Sequence, residues 1–423
     1  MKKRMMLGFT MMAGLILTGC GSDAGTGDDK TVTVSMMTNE TEAKLVEWQD
    51  QVIADYEEEH PDVKIDIQRL GYDDYVQTLQ TKFASGDAPT IFQVENIYLE
   101  KYVTNDYVVD MSESKAKDYY EPSQLSNLSL DEKLYALPYN TNVLGVTYNK
   151  EIFEEVGIET LPKTESEFYA ACEKLEAAGY TPIASGYKET WAIMADMQAD
   201  YVNSLLSNNE QAIVDLVSRE DTFVGNENWT AVLERLQNRR AFMQSDLFGT
   251  SWDAATTMVA NEEAAMVVSG QWAANNIAEY AEDMELGMFP LPVSENPDDA
   301  KFVVQSATAG LGISAAASEE EQQAAMEFME YYHSPEVATT YAESTNNICV
   351  IKDVVVPETS AVYDVVKALE ENDVKIVEAN FNFPNEQRNA VETLVGEFML
   401  ESDTDVTSIL EKLDAEFDRI AKE

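Results

Sequence analysis

An α/β fold built on a parallel sheet is what this 423-residue chain predicts, on three observations. From Val32 to Val94, apolar patterns of period two and period 3.6 alternate in the order strand, helix, strand, helix, strand, the order that folds into parallel strands with crossover helices. Residues 261–272 pass from an acidic, alanine-rich helix end into the short apolar run Ala265, Met266, Val267, Val268, then turn at Ser269-Gly270 before Trp272, so helix gives way to a buried strand. Finally, 423 residues make about two or three domains of ordinary size, and 45 % hydrophobic residues suffice to fill their cores.

The chain opens with Lys2, Lys3 and Arg4, an apolar run over 5–17, and Leu17-Thr18-Gly19-Cys20. This predicts a signal peptide over 1–19, with an apolar run too short to favour a membrane span. The Leu-Thr-Gly-Cys ending resembles the bacterial lipobox, which makes Cys20 the expected lipidation site and the first mature residue. Residues 20–30 are polar and glycine-rich, a flexible tether. No later stretch is long and apolar enough to predict a second span.

Val32, Val34 and Met36 alternate as a strand that ends at Thr38-Asn39. Leu45, Val46, Trp48, Val52, Ile53 and Tyr56 recur at helical spacing until His60-Pro61 stops them. Val63, Ile65 and Ile67 form the next strand, Tyr75, Val76, Leu79 and Phe83 the next helix, and Ile91, Phe92 and Val94 the third strand. In open α/β sheets ligands bind outside the carboxyl ends of the strands, so Thr38-Asn39, residues 69–72 and Glu95-Asn96 should face one crevice. Further on, Thr164 and Glu167 have capping-box spacing, opening a helix that Gly179 should stop. Residues 319–332 and 406–420 are amphipathic helices, and Ser334-Pro335 starts another.

The formal charge, 28 − 78 = −50, argues against a nucleic-acid partner. Cys172 shares a helical face with Phe168, Ala171 and Leu175, as a buried thiol would, and with Cys349 it makes no disulfide framework. His60 and His333 both read as helix-end residues, so no metal site is expected. The sequence offers no phosphate loop, nucleophile elbow or calcium loop, and no cofactor is expected.

Five motifs carry a resemblance. Phe-Ala-Ser-Gly-Asp-Ala-Pro-Thr-Ile-Phe at 83–92, Tyr-Asn-Lys-Glu-Ile-Phe-Glu-Glu-Val-Gly-Ile at 148–158, Leu-Pro-Lys-Thr-Glu-Ser-Glu-Phe at 161–168, Glu-Glu-Ala-Ala-Met-Val-Val-Ser-Gly-Gln-Trp at 262–272 and Phe-Pro-Leu-Pro at 289–292 resemble the carbohydrate-type (family 1) extracellular solute-binding proteins of ATP-binding-cassette importers. The resemblance implies a hinged, two-lobed fold of the type II periplasmic-binding-protein kind. Lobe 1 is expected from 31–141 plus 292–345, and lobe 2 from 142–291 plus 346–423, each a sheet flanked by helices. It implies a lipid-anchored monomer on the outer face of the bacterial cell membrane. There it would capture a sugar or oligosaccharide and pass it to the transmembrane permease subunits of an importer, breaking no bond.

The expected ligand residues are Asn39, Glu95, Asn96, Lys188, Trp191, Trp252, Trp272, Phe381 and Arg388, with Tyr139-Asn140 and Phe383 behind them. A Trp at a strand end presents a flat apolar face and one donor to a sugar ring, although Trp272 and Trp191 read equally well as core caps and Glu95-Asn96 as a helix-capping pair. A peptide or polyamine ligand, a sensor-kinase partner and a secreted glycoside hydrolase are the alternative functions; polyamines suit the overall charge.

Overall fold

The computed structural model describes residues 31–422 except 207, 208, 210, 306, 372, 373, 378–382 and 402–404. The expected signal peptide, Cys20, the tether and Phe381 therefore lie outside the described residues.

The first sheet has four strands in the order Ala309–Ile313, Ile91–Glu95, Val32–Thr38, Val63–Arg69. Val32–Thr38 runs parallel to both neighbours, with Val32 opposite Val63 and Met36 opposite Ile91, as the alternating opening predicts. Ala309–Ile313 adds an antiparallel edge, with Ala309 opposite Glu95. The helix Ala43–Glu59 covers the sheet through Leu45, Trp48, Val52, Ile53 and Tyr56, the residues whose spacing predicts it. The Trp48 ring packs against Tyr139, Tyr332 and Tyr341, at 5.0, 5.1 and 4.9 Å between centroids. Helix Tyr72–Ser85 stops at Gly86, whose φ of 72° is the left-handed cap that glycine adopts without strain.

In the second sheet the parallel expectation gives way. Its central strand, Val143–Asn149, has all seven residues buried. It runs antiparallel to Ala264–Gly270 on one side and to Leu286–Phe289 and Phe302–Gln305 on the other. Only the outer strands, Thr181–Ile183 and Val374–Val377, are parallel to their neighbours. Strands buried on both faces read as continuous apolar runs, and such runs identify a strand without giving its direction.

Sheet membership moves the lobe boundaries. Leu291 packs in the second lobe's core and Phe302–Gln305 pairs in its sheet, so the return to the first lobe falls between 305 and 309, not at 292. Val350 and Ile351 pack in the first core and the Lys352 N–H donates to the Tyr119 carbonyl at 2.9 Å, whereas Val356 joins Val143 and Met288; the last crossing thus lies after 352, not at 345. With the crossing at 141–143, the chain passes between the lobes three times among the described residues. Asn140–Thr141 and Ile348–Cys349 pair as a short antiparallel ribbon beside these crossings. Gln271 braces them: its Oε1 accepts from the Val143 N–H at 2.8 Å and its own N–H donates back to the Val143 carbonyl at 3.0 Å.

The capping box at Thr164 and Glu167 is formed, and Gly179 ends that helix at φ 99°. Helix Trp191–Tyr201 lies against helix Glu227–Arg240 through a buried ion network. Arg239 donates to Asp196 and, at 2.9 Å, to Asp200; Arg235 Nε reaches Asp200 at 3.0 Å; the Tyr187 hydroxyl donates to Asp196 at 2.8 Å. Helices Asn385–Leu400 and Val406–Ile420 close the second lobe, burying Val395, Ile409, Leu413 and Phe417.

Candidate functional site

The carboxyl ends of the first sheet's strands meet the second lobe across a cavity of about 410 Å³. Each strand end contributes a polar side chain because the backbone there leaves the sheet and turns into a helix. Asn39, Glu40 and Glu42 follow the first strand, Tyr72 follows the second, and Gln93, Glu95 and Asn96 end the third; Thr308 enters from the antiparallel edge. The three strand ends expected to face one crevice do so.

The opposite wall is aromatic. Trp191, Trp252 and Trp272 are each the first residue of a helix, namely Trp191–Tyr201, Trp252–Ala260 and Trp272–Ala278. Their rings cluster, with Trp191 lying 5.0 Å from Trp252 and 6.2 Å from Trp272 between centroids. Two glycines permit this. A Cβ on Gly270 would lie 1.9 Å from the Trp272 ring, and one on Gly186 would lie 2.5 Å from the Trp252 Cα. Below Trp191 the same helix presents Met194, Ala195 and Gln198, the i+3, i+4 and i+7 positions of one face. Asn276, one turn after Trp272, lines the cavity and accepts from Trp252 Nε1 at 2.8 Å. All three tryptophans remain half-buried. Trp272 Nε1 has no hydrogen-bond partner among the described residues.

Glu95 occupies a helix N-cap position, yet its side chain makes no capping bond. It accepts instead from the Tyr72 hydroxyl at 2.9 Å. Burial raises its carboxyl above the ordinary value, against the pull of Tyr72 and of the Arg388 guanidinium. Arg388, from helix Asn385–Leu400, is fixed by Glu392 Oε1 at 2.8 Å, while the other Glu392 oxygen accepts from Thr190 at 2.9 Å. Glu40 accepts from Gln49 Nε2 at 2.6 Å; burial, with the neighbouring Glu42 charge, pushes its carboxyl up to about 7. Burial raises Glu42 as well. A smaller space of about 150 Å³ continues behind Trp272 toward Asn140, Gln271 and Asn347.

Of the expected residues, Asn39, Glu95, Asn96, Trp191, Trp252, Trp272 and Arg388 line the one cavity. Lys188 does not. Its neighbours Gly186 and Tyr187 are buried against Trp252 and Leu247, so the loop is pinned and Lys188 is left exposed outside the lining. Tyr139 is taken by the first core and Phe383 by the second, where it packs near Tyr201, Trp229 and Phe417. Glu40, Glu42, Gln93, Met194, Gln198 and Asn276 were not among the expected residues. The last three carried a usable signal, since they recur at helical spacing from Trp191 and Trp272.

The model of the bacterial extracellular solute-binding protein family matches residues 40–339. The multiple sugar-binding protein of Streptococcus mutans is 25% identical over 300 residues, 69% of this chain and 70% of that protein. The sn-glycerol-3-phosphate-binding periplasmic protein UgpB of Yersinia pestis is 26% identical over 363 residues, 77% of this chain and 74% of that one. Among solved structures, the solute-binding protein RafE in complex with raffinose superposes with a TM-score of 0.76 at 19% identity, covering 92% of this chain and all of that one.

Proposed function

The chain belongs to the bacterial extracellular solute-binding proteins, and from that premise we propose that it captures a sugar or oligosaccharide outside the cell for an ATP-binding-cassette importer. The observation that carries the reading is the pairing of walls across one cavity: three tryptophans on one side, and Glu95, Asn39, Asn96 and Tyr72 on the other. Sugar rings have apolar faces and hydroxyl edges, and this cavity offers a partner for each. Its size lies within the usual range for small-molecule sites. A sugar that touches both walls favours the state in which the walls meet, which is the form a permease would receive. In this reading the sugar is bound and released unchanged by a monomer tethered through lipid on Cys20. Cys20→Ala would then partition into the aqueous rather than the detergent phase.

A thermal-shift screen against mono- and oligosaccharides tests the function. A sugar at about one hundred times its dissociation constant adds roughly 2.7 kcal/mol of stability. A screen in which short peptides or polyamines stabilise the protein and no sugar does would overturn the reading.

A further inference from the structure

The structure assigns the cleft to saccharides that carry no acidic group, with Glu40 as the residue that enforces the exclusion; this rests on the sugar-binding reading above. The charged side chains facing the cavity come from three elements. Glu40 and Glu42 precede helix Ala43–Glu59, Glu95 ends its strand, and Arg388 projects from helix Asn385–Leu400. Arg388 is the one cation among the described lining residues, and it is already engaged. Glu392 holds its Nε, and its guanidinium acts on Glu95 across the cleft. Counting Glu392 with the lining carboxylates gives four acids against the one lining base, an excess of three acidic groups (4 − 1 = 3).

The nearest other bases are committed elsewhere. Arg69 binds Gln49 at 2.9 Å and Asp50 at 2.7 Å, and Lys44 binds Glu282 at 2.7 Å. The helix starts at the cleft, whose N–H groups could attract an anion, are also partly answered from within: Glu189 accepts from the Trp252 N–H at 2.7 Å, and Glu279 accepts from the Ala43 N–H at 2.8 Å. A phosphate or uronate placed here would lose its water and meet like charge. A neutral sugar meets acceptors, because its hydroxyls donate to carboxylates whose burial has removed solvent donors.

Glu40 is the focus because its partner is an amide, Gln49, and no ion pair reaches it among the described residues. Arg69 acts on it only from a distance while the neighbouring Glu42 carboxylate acts against it, whereas Glu95 has Tyr72 and Arg388 to moderate its charge and no acidic neighbour beside it.

The test is calorimetric titration of the purified protein at low ionic strength and about pH 8, above the Glu40 value of about 7. Raffinose, maltotriose, cellobiose and N,N′-diacetylchitobiose serve as neutral probes, and digalacturonate, glucose 6-phosphate and sn-glycerol 3-phosphate as acidic ones. Every acidic probe should bind at least about a hundredfold more weakly than the tightest neutral probe. Glu40→Gln should narrow that gap by about fivefold or more, with a smaller change in neutral-probe affinity. Should Glu40→Gln fail to fold, Glu42→Gln makes the same comparison. An acidic probe within about tenfold of the best neutral one overturns the inference and leaves the sugar-binding reading standing, as does an unchanged gap in the variant. Binding of no probe of either kind overturns the sugar-binding reading, and this inference falls with it.

Discussion

In the first lobe the tryptophan is inside and carboxylates face the cleft: Trp48 packs among Tyr139, Tyr332 and Tyr341, while Glu40, Glu42 and Glu95 line the cavity. In the second lobe Asp196, Asp200, Arg235 and Arg239 are buried, while Trp191, Trp252 and Trp272 line the cavity. The difference shows that residue type alone does not decide what belongs to a site. A buried ion network survives because each carboxylate has a guanidinium, and an aromatic residue reaches the cleft because it begins a helix whose remainder is packed.

The contrast is broken most severely from the buried side. Arg239→Met leaves Asp196 without its guanidinium, and removing one partner of a buried pair costs about 3 to 5 kcal/mol. A denaturant melt should show that loss, with sugar affinity unchanged in the folded fraction. If affinity fell as far as stability, the network would belong to the site as well as the core.

Next in size is Trp272→Ala, which removes a half-buried ring from the cleft wall. By analogy with aromatic hot spots, affinity should fall by about 2 to 4 kcal/mol, and the melt should move much less. A core tryptophan would instead cost roughly 3 to 5 kcal/mol of folding stability, so titration and melt on one variant separate the two roles.

Glu95→Gln sharpens the polar wall. It keeps the shape and loses a charged acceptor, which should weaken sugar binding by about 1.5 to 3 kcal/mol, the value of a hydrogen bond to a charged group. Lys188→Ala serves as the control and should change affinity by less than about 0.5 kcal/mol, because that side chain is exposed and outside the cavity. A large effect at Lys188 would show that the loop moves onto the ligand.

A separate effect is on pH dependence. Glu40 is raised from 4.5 to about 7, chiefly by burial. Between those values the folded protein holds a proton that the unfolded chain has released. The contribution of this group is therefore full below about 4.5 and is lost as pH rises through about 7. The melting temperature of ligand-free protein should carry that decline, and Glu40→Gln should remove it. Parallel pH curves for the two proteins would show that Glu40 is not desolvated.

Much of this was legible in the sequence, for physical reasons that also mark where legibility stopped. The first sheet alternates apolar and polar residues, and its strand ends carry turn chemistry, so both the parallel order and the crevice at Asn39, Tyr72 and Glu95 could be read. The second sheet is built from uniformly buried strands such as Ala264–Gly270, which hide direction and therefore its antiparallel centre. The crossing between 305 and 309 was missed because Phe302–Gln305 looks like any short strand until its partner at 143–144 is known. Lys188 was misplaced because a loop's composition does not say which of its residues a glycine contact will pin. Arg388 was readable only through the family resemblance, since it comes from a helix far along the chain.

The three crossings between lobes also bear on how the molecule is made. Neither lobe is contiguous: the first needs Ala309–Ile313 to finish its sheet, and the second needs the helices up to Ile420 to cover its core. As the chain emerges from the ribosome, early segments therefore wait for late ones, and long-range closure makes such folding slow. For a protein whose family works outside the cell, that delay is useful, because a chain without finished lobes can still be threaded through a membrane. Stalled nascent chains ending near residue 305, before Ala309–Ile313 is made, should remain protease-sensitive throughout, whereas full-length chains should resist. A resistant fragment from the shorter chains would show that the first lobe folds without its edge strand.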